Sequence, residues 1–314
     1  MVDRSGAVLY QTHNTSAVTA TQRVFHSATA LPLEWRCWSE LSLITYRSLA
    51  VDAVRSLAPL EQLNLTRDRT EYLLYVTTLP VGLRHTAKAL RLEGRIANAY
   101  AAFVDGVLLG QAWNAAHGYG SKTYDIALAQ DSTDDSAVSV RARGIYHAGG
   151  TTSELAILST SLGMHSHVTS RALDFKGVVG AITLDGATLS SWRHVIGLAG
   201  EHWHAGAGNE SLDWGVCRNQ SGPLTWRKAM FSLSAAVLDD ESVSVMLDVN
   251  GMSRGHFYLN GVDLGKYWTV GPAGLGPTQR YYQLPRSVLR PDTQNTKNLL
   301  VLSPLTSGSL RCVL

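Results

Sequence analysis

Trp113 and Trp268 are the residues of this sequence best suited to direct chemistry with a ligand. A flat indole stacks on the C–H face of a pyranose, while neighbouring carboxylates and amides bond the hydroxyls. Trp113 stands near Asp105, Asn114 and Tyr119, and Trp268 near Tyr267, Asn260 and Asp263. Both sets lie beside an Asp-Gly or Asn-Gly pair, so two carbohydrate-binding clusters are expected at two hairpins. The competing reading is that each Trp caps a hydrophobic core. His165 with His167, and His202 with His204, would put two imidazoles on one face of a strand, where a metal could bridge them. No Cys or carboxylate spacing supports either pair, so no metal and no cofactor is expected. No G-x-S-x-G elbow is present. The Gly-rich run from Gly271 to Gly276 lacks the Lys-Ser/Thr of a phosphate loop.

The elements that would carry these residues read as strands. Glu71 to Leu79, Ala99 to Val104, Ser153 to Leu158, Ala181 to Leu184, Ser242 to Val249, Gly255 to Leu259 and Thr296 to Leu302 are short extended runs rich in apolar residues. Four of them end at Asp105-Gly106, Asp185-Gly186, Asn250-Gly251 and Asn260-Gly261, the pairs that tolerate the positive φ of a tight hairpin. Two stretches could be helical, Ala50 to Leu57 and a single turn at Pro285 to Leu289, with Pro in its first position. Phe103-Val-Asp-Gly-Val-Leu-Leu-Gly110 repeats as Tyr258-Leu-Asn-Gly-Val-Asp-Leu-Gly265, and a Trp follows each copy. The repeat implies two β-sandwiches of one plan, and Ala205 to Gly208 marks the boundary. The expected fold is therefore all-β, with tandem jelly-roll sandwiches and no (β/α)8 barrel. A first jelly roll would span 51–204 and a second 205–314, after a β segment over 1–50.

Composition narrows the function. The chain has 314 residues, 45% of them hydrophobic and 17% charged, with a net charge of +2. That is a globular composition without a basic run, so no nucleic-acid partner is expected. No apolar stretch is long enough to span a membrane as a helix, and the N-terminal residues lack the apolar core of a secretory signal. Cys37, Cys217 and Cys312 are far apart and odd in number, so free thiols are the expectation, with one disulfide as the alternative. N-x-S/T sequons stand at Asn14, Asn64, Asn209 and Asn219.

Several segments, in order, carry a resemblance. Gly255-His-Phe-Tyr-Leu-Asn-Gly-Val-Asp-Leu-Gly-Lys-Tyr-Trp268 is similar to a W-V-N-G-x-x-L/I-G-R-Y-W stretch, and Gly276-Pro-Thr-Gln-Arg-Tyr-Tyr-Gln-Leu-Pro285 to G-P-Q-x-x-L-Y-x-V-P. Pro59-Leu-Glu-Gln-Leu-Asn-Leu-Thr-Arg-Asp68 with Tyr72-Leu-Leu-Tyr75 is similar to L-E-Q-I-N-x-T-R-D-x-x-D-Y-L-W-Y. Pro223-Leu-Thr-Trp226 and Gly180-Ala-Ile-Thr-Leu-Asp-Gly186 fit the same series. Together they resemble the C-terminal, post-barrel β-domains of glycoside hydrolase family 35 β-galactosidases. The resemblance implies galactose-binding-like sandwiches and a secreted or lysosomal parent family. In that family a separate barrel carries the chemistry. Retaining hydrolysis needs two carboxylates about 5–5.5 Å apart. The family's acid/base signature G-P-x-x-x-x-Q-x-E-N-E is missing, and of nine Glu only Glu210 follows an Asn. The chain is thus expected to have no catalytic residues. It would act as a carbohydrate-binding or assembly subunit, with β-galactoside glycans or a larger protein assembly as partners. The alternative is an accessory part of a β-galactosidase whose barrel lies on another chain.

Overall fold

A computed structural model describes residues 30–31, 33–41, 53–80, 89–95, 97–113, 121–127, 152–164, 175–202, 214–217, 224–250, 252–269, 279–293, 297–304 and 311–313. In chain order the strands are β1 (Ala30–Leu31), β2 (Arg36–Ser39), β3 (Val54–Ser56), β4 (Tyr72–Pro80), β5 (Ala89–Arg95), β6 (Asn98–Val104) and β7 (Val107–Trp113). They continue as β8 (Ser121–Ala127), β9 (Thr152–Ser161), β10 (Val178–Leu184), β11 (Ala187–Thr188), β12 (Trp192–Ile196) and β13 (Gly215–Val216). The last are β14 (Thr225–Phe231), β15 (Met246–Asp248), β16 (Arg254–Leu259), β17 (Val262–Trp268), β18 (Tyr281–Gln283), β19 (Asn298–Pro304) and β20 (Arg311–Val313). The described residues also include two one-turn helices, α1 (Gln62–Thr66) and α2 (Ala235–Asp239), and a 3₁₀ turn at Ala199–His202. The fold is all-β, and every sheet is antiparallel.

Four sheets stack as two sandwiches set back to back. In the first sandwich a four-stranded sheet (β11-β10-β5-β8) faces a six-stranded one (β3-β12-β4-β9-β6-β7). In the second, the six strands run β13-β2-β14-β19-β16-β17 and face β1-β20-β15-β18. The two six-stranded sheets are the middle layers. Alternation along β4 makes this visible: Leu73, Tyr75 and Leu79 enter the first sandwich's core. Tyr72, Leu74 and Val76 point the other way, onto Trp226, Tyr258 and Val301 of the second sandwich. Strand β6 is buried at every position because it is covered on both faces. Phe257, Leu259, Leu300 and Leu302 form the second sandwich's own core.

The repeat is structural. The β6–β7 and β16–β17 hairpins occupy equivalent edges, each with a register shift, at Ala102/Phe103 and at His256/Tyr258. Asp105 and Asn260 turn with φ of 49° and 53°, followed by Gly106 and Gly261 at 79° and 87°. Residues 30–31 and 36–39, read from sequence as part of a separate 1–50 segment, pair with β20 and with β13 and β14 in the second sandwich.

Three local expectations need correction. Residues 54–56 of the expected Ala50–Leu57 helix are strand, because β3 pairs with β12. The expected strand over Ser242–Val249 contracts to Met246–Asp248, since its neighbours β18 and β20 are themselves three residues long. Cys37 and Cys217 form a disulfide rather than free thiols, with Cα atoms 5.0 Å apart. The bridge is local in space because β2 and β13 are paired neighbours. The turn at Pro285 does form, with Leu289 N donating to Pro285 O.

Candidate functional site at the seam between the sandwiches

The two edge hairpins bring the repeated tryptophans to one residue that neither cluster anticipated. Arg254 opens β16, directly across from Trp268 on β17. Its guanidinium lies 5.4 Å from the Trp268 ring centre and 4.9 Å from that of Trp113, at the end of β7. Gln111, two residues before Trp113 and so on the same face of β7, accepts a bond from Arg254 Nη2 at 2.9 Å. The cation thus lies within cation–π distance of two indoles, one from each sandwich. Arg254 is 3% exposed, and burial pulls its guanidinium down to about 10, still a cation at neutral pH.

A charged cluster adjoins this stack. Lys266 Nζ meets Glu71 Oε1 at 2.6 Å, so β17 is tied to the start of β4. His256 Nε2 lies 3.1 Å from Asp263 Oδ1, and its Nδ1 lies 3.8 Å from Glu71 Oε2. Deeper in the seam Glu40 is fully buried and accepts from Ala199 N, Gly200 N and Trp226 Nε1 at 2.6, 3.1 and 3.0 Å. Glu201 accepts from Thr70 Oγ1 and from Leu198 N. Burial, opposed by those bonds and aided by the charges of Glu40 and Glu71, pushes its carboxyl up to about 7. Burial likewise raises the Tyr72 and Tyr258 hydroxyls, so both stay protonated at neutral pH.

The other expected ligand contacts are distributed through the scaffold. Asp105 Oδ1 accepts from Glu154 N and fastens its hairpin to β9. Asn260 Nδ2 donates to Val288 O and Asn298 Oδ1, and its Oδ1 accepts from Leu299 N. Tyr267 is fully buried in the second sandwich's core. Asp263 accepts from Gly265 N besides meeting His256. Asn114 and Tyr119 lie outside the described residues, as do His165, His167 and His204 and the side chain of His202. Among the described residues no group of three or more His, Cys, Asp or Glu is placed to hold a metal. A small cleft lined by Tyr72, Thr160, Arg254, Lys266 and Trp268 has a volume of about 10 Å3, on the scale of one water. Trp113 is 37% exposed.

Residues of the quoted motifs also build the frame. Glu61 caps α1 through Asn64 N and accepts from Lys176 N at 2.6 Å. Gln62 donates to Glu71 O and accepts from Ser159, while Tyr75 bonds Leu60 O and Val178 N. In the second sandwich Arg280 pairs with Asp248 through two bonds of 2.7 Å. Arg286 reaches the carbonyls of Val237, Leu238, Asp240 and Val243, around the end of α2. Sequence reasoning missed Arg254, Gln111 and the Glu40–Glu201 pair. For Arg254 the available signal was a cation alternating with His256 and Tyr258 on the face of β16 turned away from its own core.

Comparison with known proteins agrees with this architecture. Residues 224–295 match the family described as "Beta-galactosidase, galactose-binding domain". Over 287 residues the chain is 29% identical to beta-galactosidase 11 of Oryza sativa subsp. japonica, covering 86% of this chain and 30% of that protein. It is 29% identical over 256 residues to beta-galactosidase 11 of Arabidopsis thaliana, covering 79% of this chain and 28% of that one. The chain thus spans under a third of the length of these relatives. Among solved structures, a lectin from Pleurotus ostreatus in complex with GalNAc aligns over 92% of this chain and 78% of its own, at 13% identity and a TM-score of 0.21, and that likeness carries no argument. The resemblance to the C-terminal β-domains of family 35 β-galactosidases holds along most of the chain.

Proposed function

We propose that this chain is a non-catalytic β-sandwich module of the β-galactosidase type, and that it acts as a structural and assembly subunit packing against a catalytic barrel. The observation that carries this reading is the Trp113–Arg254–Trp268 cluster, in which the two aromatic rings best suited to grip a sugar both lie within cation–π distance of a buried guanidinium. The seam carboxylates fit the same reading. Glu40 and Glu201 are held by internal donors, and Glu71 by Lys266. The described residues within 53–202 form one unit and those within 30–41 and 214–313 a second, joined through a shared apolar layer.

The test is titration calorimetry of the full chain against galactose, against lactose and against the barrel portion of a plant β-galactosidase. Assembly predicts binding to the barrel and none to the sugars. Tight galactose binding with no affinity for the barrel would overturn it. A carbohydrate-binding reading is favoured by one observation, the exposure of Trp113. It predicts galactose binding that Trp113→Ala abolishes and Trp268→Ala leaves in place.

A further inference from the structure

We propose that the small cleft lined by Tyr72, Thr160, Arg254, Lys266 and Trp268 binds a single halide-sized anion, chloride under physiological conditions, beside the Arg254 guanidinium. Arg254 is 3% exposed and is a full cation at neutral pH. Among the described residues no carboxylate pairs with it. Its Nη2 donates to the neutral amide of Gln111, and its buried Nε has no acceptor. The ring centres of Trp113 and Trp268 lie 4.9 and 5.4 Å from its guanidinium carbon, so its near neighbours are aromatic and carry no counter-charge. A buried cation left uncompensated is costly, and ring quadrupoles offset only part of that cost.

The cleft is built for the missing charge. Its lining includes two cations, Arg254 and Lys266, and no acidic residue. Glu71 already neutralises Lys266, at 2.6 Å, so Arg254 keeps its charge unmatched. Tyr72 and Thr160, which carry hydroxyls, are also in the lining. Burial holds the Tyr72 hydroxyl in its protonated form, so it can donate but cannot serve as the counter-ion. A volume of about 10 Å3 suits one water-sized body better than sulfate, phosphate or a sugar acid. The anion would bond groups from both sandwiches, because Tyr72 and Thr160 come from β4 and β9 while Arg254 and Lys266 come from β16 and β17.

The experiment is a crystal of the full chain grown or soaked in sodium bromide, with anomalous data collected at the bromine edge. A peak within bonding distance of the Arg254 guanidinium is expected. Bromide peaks at other places with none at Arg254 would overturn the proposal. In solution, replacing gluconate by chloride at constant ionic strength should raise the melting temperature by roughly 2–4 °C. Arg254→Met should abolish that difference. An equal response of wild type and variant to chloride would overturn the proposal as well, and if the variant does not fold, the bromide peak in the wild type decides.

Discussion

Replacing Glu201 by Gln should stabilise the protein at pH 8 and leave it unchanged at pH 4.5. Glu201 sits in the seam with its carboxyl pushed up from 4.5 to about 7, chiefly by burial. The folded state therefore holds a proton on this group that the unfolded chain gives up near pH 4.5. Between those two values the folded state binds more protons, so the contribution to stability is full below about 4.5 and is lost as pH rises through about 7. A shift of that size corresponds to about 3 kcal/mol. Gln keeps the shape, can still bond Thr70 and Leu198 N, and carries no charge at any pH. Chemical denaturation of wild type and Glu201→Gln at half-unit steps from pH 4.5 to 8 measures the difference. His194, which burial pulls below its usual value, tilts stability the opposite way as it loses its proton, but it is present in both proteins and cancels in the subtraction. The expected curve starts near zero and reaches about 3 kcal/mol in favour of the variant. A difference that does not change with pH, or a variant weaker throughout, would refute the reasoning, since the carboxylate would then act by geometry rather than by charge.

Other perturbations test separate parts of the frame. Reducing Cys37–Cys217, which closes a span of 180 residues, should cost up to about 5 kcal/mol, read as a lower denaturation midpoint on adding reductant and no change in a Cys37→Ser/Cys217→Ser variant. Gly200→Ala would set a Cβ 1.8 Å from the Trp226 ring, and a loss of about 1–3 kcal/mol is expected in the same assay. Glu40→Ala removes the acceptor of three buried donors and should cost about 3–5 kcal/mol, whereas Glu241→Ala, which is exposed, should leave the midpoint in place.

Much of the fold was legible because its signals are local. Asp105-Gly106 and Asn260-Gly261 mark their hairpins through φ alone, and the strand of Tyr72 to Leu79 is rich in the residues that fill a pleated, buried surface. The double burial of β4 and β6 was less legible. A strand covered on both faces loses its alternation, and nothing within β6 says that its second face meets another sandwich. The disulfide and the pairing of residues 36–39 with the second sandwich depend on partners some 180 residues away. The candidate site shows the same division. The sequence marked both tryptophans, but their common partner Arg254 meets Gln111 across 143 residues, a contact set by how the two sheets stack. Asn260 and Tyr267 have the residue types of a sugar site, yet one is spent on Asn298 and Leu299 and the other in the core.

The role as a non-catalytic partner of a barrel is tested most directly by the initial rate of chromogenic β-galactoside hydrolysis. The rate is measured for the pure chain, for a barrel-only β-galactosidase, and for the two mixed. The account predicts no rate from the chain alone and a rate from the barrel that added chain raises or protects against heat. Turnover by the pure chain, suppressed by a galactose-derived inhibitor, would contradict it.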